Sequence, residues 1–274
     1  MNLDMHRILE GWPYEPGQVT ARRIIGDDAR EKLQLRLDLG VIQMEIDGRP
    51  DGQRPYGHES LLDYYETRLR RYETENGTDE DFGLDSAACE LLRAEGTMYY
   101  HRYIAAFVLE DWHLVERDTL RNLRLFDFCE AYANDEQDRY ILEQYRAYVI
   151  MMCTRARARL ALEQGRPRAA LGVVHKGIDA IRHSYERWGQ ERSFGSSGEV
   201  AVLKTLARDI EKHSPLDPLQ LLQRRLAKAL QEERYEEAAL IRDKLQKFKM
   251  PKDASDVAQF GAAIDPGHVP LDDR

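Results

Sequence analysis

"TRARARLALEQGRPRAALGVVHKG", residues 154–177, holds the turn on which the architecture rests. Small and apolar residues run through both halves, and Gly165-Arg166-Pro167 separates them. A glycine just past a helical stretch accepts the left-handed conformation that ends it. A proline just inside the next stretch has φ already set for a first helical turn. The pattern predicts two helices joined by a tight turn, the second running through "PRAALGVVHKGIDAIRHSYERW" to Gly189.

Working outward, the chain from Ser60 onward reads as helices in pairs. Ser60 and Asp63 form a capping box for "LLDYYETRLRRYE". Asp85 or Ser86 caps "AACELLRAEGTMYYHRYIAAFVLED", which turns at Asp111 and Trp112 into "HLVERDTLRNLRLFDFCEAYA". Asn134 with Gln137 caps one long helix, "DEQDRYILEQYRAYVIMMCTRARARLALEQ". Past Gly189, "RSFGSSGE" reads as a short flexible link, with Ser196 and Glu199 capping "VAVLKTLARDIEKH". The turn segments "ALEQGRPRAA" and "ALQEERYEEAA" resemble each other, which suggests stacked helix-turn-helix units.

Before Ser60 the period changes. In "KLQLRLDLGVIQMEIDG" (32–48), Leu33, Leu35, Leu37 and Leu39 alternate with polar residues, and Ile42, Met44 and Ile46 continue on even positions. That is a strand period, with Gly40 marking either a bulge or a turn between two strands. "VTARRII" followed by "GDDAR" supplies a third, antiparallel strand. "DGRPDGQRPYG" (47–57) is a loop, because its prolines and glycines disfavour helix and central strand.

The expected fold class is therefore mainly α: stacked helical hairpins with a small N-terminal antiparallel β-element and a C-terminal helical hairpin. The expected divisions are a β-element at 1–58, a helical domain at 59–192, a linker at 193–198, a helix plus hairpin at 199–249 and a disordered tail at 250–274.

Composition narrows the function classes. A net charge of −9 opposes phosphate-backbone binding, and Arg155, Arg157 and Arg159 cannot share one helix face, so a solvated, structural role is expected for them. No apolar run approaches a membrane span, and "MNLDMHRILEGWPYEPG" lacks the apolar core of a signal peptide; a cytoplasmic protein is expected. Cys89, Cys129 and Cys153 are widely spaced within helical patterns, which predicts buried reduced thiols. No phosphate loop or His-Glu-x-x-His is present, and no Cys/His cluster has metal spacing, so no catalytic residue, metal or cofactor is assigned. His101 and His175 lie inside helical patterns, and the acidic run "ENGTDEDFGLD" lacks the spacing of an EF-hand loop.

Near the C-terminus, Asp217-Pro218 forms a cap and first turn, and Leu219, Leu222, Leu226 and Ala229 recur at spacings of three and four. After a polar turn, Tyr235, Ala238, Ile241, Leu245 and Phe248 repeat the stripe. Two short helices sharing this seam bury too little to stand alone, so the hairpin leans on the preceding helices, on a second copy or on another protein.

Three resemblances attach to these residues. Ala158, Ala170, Val174 and Gly177 match the small and apolar positions of a tetratricopeptide repeat, although Thr154, Arg157 and Arg182 stand where that repeat has an aromatic, a Leu and a Pro. "ERYEEAALIRDKL" (233–245), preceded by "LQLLQRRLAKALQ", resembles the UVR (UvrB/UvrC) motif, an aromatic-Glu-x-Ala-Ala-x-x-Arg-Asp run in the second helix of a hairpin. Tyr235, Glu236, Ala238, Ala239, Arg242 and Asp243 match its positions. "LDLGVIQMEIDGRPDGQRP" is similar to the start of uncharacterised bacterial proteins that end in that motif.

The UVR resemblance implies docking to a protein through the hairpin, by Leu219, Leu222, Leu226, Tyr235, Glu236, Ala238, Ala239, Ile241, Arg242, Asp243 and Leu245. It implies no repair activity, because helicase motifs, nuclease carboxylates and the paired Cys-x-x-Cys sites of Clp-associated adaptors are absent. The expected function is a non-catalytic bacterial adaptor or scaffold, with self-association through the hairpin open. The alternatives are a small hydrolytic or ligand-binding protein built on Asp47, Arg49, Asp51, Arg54 and His58, or an accessory factor in DNA repair. For that charged loop the plainer reading is that its arginines and aspartates fasten it to the helices.

Overall fold

The computed structural model describes residues 4–213, 218–232 and 234–249. The chain is mainly helical, with one three-stranded antiparallel sheet near the N-terminus, and it divides between His213 and Ser214 into two compact units. The tail from 250 and the Asp217 cap lie outside the described residues.

A one-turn helix α1 (His6–Leu9) precedes strands β1 (Thr20–Ile25), β2 (Glu31–Arg36) and β3 (Val41–Glu45), in sheet order β1-β2-β3. Gly40 belongs to a turn: Leu37 N–H donates to Gly40 O, and Leu39, at the tip, is 90% exposed. The second half of the leucine alternation is therefore a turn, while Leu33 and Leu35 are buried opposite Met44 and Ile42. Their face packs on Ala105, Ala106, Trp112 and Val115, where two alanines with no side chain beyond Cβ let the sheet approach closely. The other face carries a polar row in register, Arg22, Gln34 and Gln43, joined by side-chain hydrogen bonds of 2.8 and 2.9 Å. Arg22 stacks on Trp12, and Arg36 donates to Trp12 O, so the N-terminal segment covers the second face.

The helices that follow are α2 (Leu61–Asn76), α3 (Ser86–Val108) and α4 (Trp112–Tyr132). Their first turns are capped by Ser60, Asp85 and Asp111. Helix α2 has a second cap that no local pattern announces. The buried Glu95 of α3 accepts from the backbone N–H of Leu61 and Leu62, which satisfies orphan donors at a helix start where the dipole favours negative charge. Cys89, Cys129 and Cys153 are buried free thiols.

The long helix expected at 135–164 is broken. It comprises α5 (Glu136–Tyr140), a 3-10 turn at Glu143–Tyr145 and α6 (Arg146–Glu163). Its cap is Asp135, whose side chain accepts from Gln137 N–H, not Asn134, whose backbone N–H donates to Leu84 O beside a short parallel bridge. At the break, Glu143 is buried and takes two hydrogen bonds of 2.6 Å from Arg146 and one from Trp188 Nε1, while Arg146 also reaches Asp127. Pairing across elements redirects a segment whose local propensity is helical.

Helix α7 (Pro167–Arg187) starts at Pro167 as the spacing requires, and Gly165 has φ +67°. The α6 and α7 helices meet at Ala158, Ala170, Val174 and Gly177, all buried. The stretch expected as a link contains a one-turn helix α8 (Glu191–Phe194), and the cap of α9 (Gly198–His213) is Ser197, which accepts from Val200 N–H, not Ser196. Val200, Leu203, Ala207 and Ile210 of α9 join the core made by α6 and α7.

The second unit is the hairpin of α10 (Pro218–Gln231) and α11 (Tyr235–Lys249). Ala229, Ala238, Ile241 and Leu245 form its buried seam, with Leu222 and Leu226 packed against them.

Candidate functional sites

The charged loop at 47–58 is fastened to α3 and α4 by arginines. Arg102 donates to Glu45 O at 2.9 Å and Gly48 O at 2.7 Å, Tyr99 Oη lies 3.5 Å from Gly48 O, and Arg117 donates to Ile46 O. Arg49 lies 3.2 Å from Asp51 and 3.5 Å from Glu95. Asp47, Asp51 and Arg54 are exposed, and His58 packs edge-on against Tyr64, so these groups do not converge on one cavity.

Beneath the loop lies a buried ionic network. Asp118 holds Arg102 in a bidentate pair at 2.6 and 2.9 Å, Glu95 pairs with Arg121, and both guanidiniums lie over the Tyr99 ring at 4.7 and 4.1 Å. Burial pushes the Tyr99 phenol above its ordinary value and draws Arg121 below its own. The network joins the sheet-to-helix loop to the body. The arginines of the 154–168 run are likewise used individually: Arg155 lies over Phe107, Arg157 pairs with Glu116 at 2.7 Å, and Arg159 lies over Trp112.

In the hairpin, the residues matched to the docking motif fall on two faces. Ala238, Ile241 and Leu245 are turned into the seam. Tyr235, Glu236, Ala239, Arg242 and Asp243 are exposed, and Leu240, between them, is 65% exposed. Leu222 and Leu226 are partly buried, and the side chain of Leu219 lies outside the described set.

A third feature escaped the sequence reading. A cleft of about 720 Å³ opens within the helical body, lined by Tyr100 and Tyr103 of α3, Phe126 of α4, Tyr145 of the 3-10 turn, Tyr148 of α6 and Glu199 of α9. Tyr100 and Tyr103, and Tyr145 and Tyr148, are each three residues apart. That spacing puts a pair on one helix face and was the available signal. What no spacing could show is that the interruption before α6 brings the two pairs to one opening. Burial raises the Tyr103 and Tyr148 phenols, so these two stay neutral at ordinary pH, and it lowers His101.

Among the described residues, no group of three or more His, Cys, Asp or Glu is placed to hold a metal ion, and no helix is long and apolar enough to cross a membrane. No protein-family model matches the chain, and neither a curated protein nor a solved structure does.

Proposed function

We propose that the chain is a non-catalytic adaptor that docks on another protein through its C-terminal hairpin. The observation that carries this reading is the division of α11: one face closes the hairpin's own seam, while Tyr235, Ala239 and Leu240 remain exposed on the second compact unit. A two-helix unit with so small a core gains stability by burying a second face, and an exposed Tyr and Leu among charged residues have the composition of an anchor with a polar rim. Burial of Tyr235 and Leu240 supplies the affinity, and Glu236, Arg242 and Asp243 set the register. The resemblance of residues 233–245 to the UVR motif points the same way, toward a protein partner, with the helical body as a second contact surface; the lack of a signal-peptide core in "MNLDMHRILEGWPYEPG" favours the cytoplasm as the place of docking.

The division of faces decides which variants test the proposal. Ile241→Glu places a charge in the seam and is expected to lower helix content in far-UV circular dichroism. Leu240→Glu is expected to leave helix content unchanged yet abolish co-purification of the partner from the native cell. If Leu240→Glu and Tyr235→Ala together retain every partner that the full chain captures, the hairpin is internal structure and the proposal is wrong.

A further inference from the structure

The tyrosine-lined cleft has the features of a ligand site and lies wholly within the first unit. Its volume falls in the range of small-molecule sites, roughly 300–1,000 Å³. Tyr103 is 1% exposed and lines the cleft, and no hydrogen bond to its hydroxyl is found among the described residues. A buried ring needed only for packing is served by phenylalanine, as at neighbouring Phe126. A hydroxyl with no protein partner on the wall of a cleft is free to donate to, or accept from, whatever occupies it. The rings do not stack flat: Tyr100 meets Tyr103 at 88° with centroids 5.5 Å apart, and Tyr148 at 53° and 6.3 Å. Walls set at such angles enclose a guest from several sides.

Charge then selects the guest. The lining has two charged side chains, Arg93 and Glu199. Arg93 is already neutralised by Asp138. Glu199 accepts only the Ser197 hydroxyl, at 2.7 Å, and has no cation in reach among the described residues. A carboxylate without a counterion beside several π-faces, whose quadrupoles are negative, attracts a positive guest. A cavity this large with a single free carboxylate lacks the donor set of a metal site. We infer that the cleft binds a small organic ammonium ion, its charged head among Tyr100, Tyr145 and Tyr148 and facing Glu199, with the Tyr103 hydroxyl meeting its polar substituent.

This site stands independently of the hairpin, so its failure leaves the docking proposal untouched. Calorimetric titration of the full chain with choline, phenyltrimethylammonium and the uncharged choline isostere 3,3-dimethylbutan-1-ol tests it. The two cations are expected to bind saturably, with the isostere about tenfold weaker or worse, because it keeps the shape and loses the cation–π and carboxylate attraction. Glu199→Gln and Tyr148→Leu are each expected to weaken choline about tenfold while leaving the isostere unchanged. Equal binding of choline and the isostere, no saturable binding of either cation, or full choline affinity in a folded Glu199→Gln protein would each overturn the assignment. Should Tyr148→Leu fail to fold, the isostere comparison on the unmodified chain decides alone.

Discussion

At the scale of single residues, the body depends on close contacts that the side-chain types only partly announce. Gly177 is the sharpest case. A Cβ there would sit 2.2 Å from Thr154 Oγ1 and 2.5 Å from Thr154 Cγ2, and threonine is stiff at χ1. Gly177→Ala should cost about 1–3 kcal/mol by overpacking, in spite of alanine's better helix propensity. Denaturant unfolding checks this, and adding Thr154→Ala should restore much of the loss. If Gly177→Ala stabilises the protein, α6 and α7 do not approach as described. Glu95 makes the complementary point. From sequence it is one acidic residue among many on a helix; in the fold it is fully buried, caps α2, and pairs with Arg121. Nothing in "RAEGTMYY" distinguishes it, because its partners are contributed by residues 49, 61, 62 and 121.

At the scale of elements, most helices and all three strands follow from period and punctuation, and the departures have tertiary causes. The break before α6 is one. Asp138 in α5, which ties that short helix to α3, shows how such a tie responds to pH. The Ser86 hydroxyl, and then Arg93, hold its carboxyl below the ordinary aspartate value against the opposing effect of burial. The folded state thus binds fewer protons than the unfolded chain between those two values. The stability contributed by Asp138 is complete above the unfolded value, about 3.9, and is lost as pH falls through the lower folded one. The stability difference between the unmodified chain and Asp138→Asn should therefore be constant near neutrality and shrink below about pH 4. Unfolding curves at a series of pH values measure it, and a difference that grows on acidification would contradict the assignment.

At the scale of the whole molecule, the division at His213 gives each unit its own apolar core. Helix α9 belongs with α6 and α7, although by position in the chain it groups equally well with the hairpin. A chain of residues 1–213 is therefore expected to fold and to melt in one cooperative transition. Far-UV circular dichroism during heating tests this, and a non-cooperative melt would show that the body needs the hairpin. The hairpin is the smaller unit, with four buried core residues among those described. Dependence on a docking surface is what the proposed function requires of it.

The sequence by itself determined the mainly helical class, the three strands, the cap at Ser60, the turn at Gly165 and Pro167, and the seam residues Leu222, Leu226, Ala229, Ala238, Ile241 and Leu245 of the terminal hairpin, though it also set Tyr235 in that stripe, where the structure leaves it exposed. These rest on local rules: backbone φ, first-turn donors and the 2.0 and 3.6 residue periods. Only the tertiary structure decided which face of α11 is spent on the seam, where Glu95 and Glu143 find their arginines, and that two tyrosine pairs 45 residues apart share one cleft with Glu199. Burial, ion pairing and cavity shape are properties of residues distant in the chain, and no local period carries them.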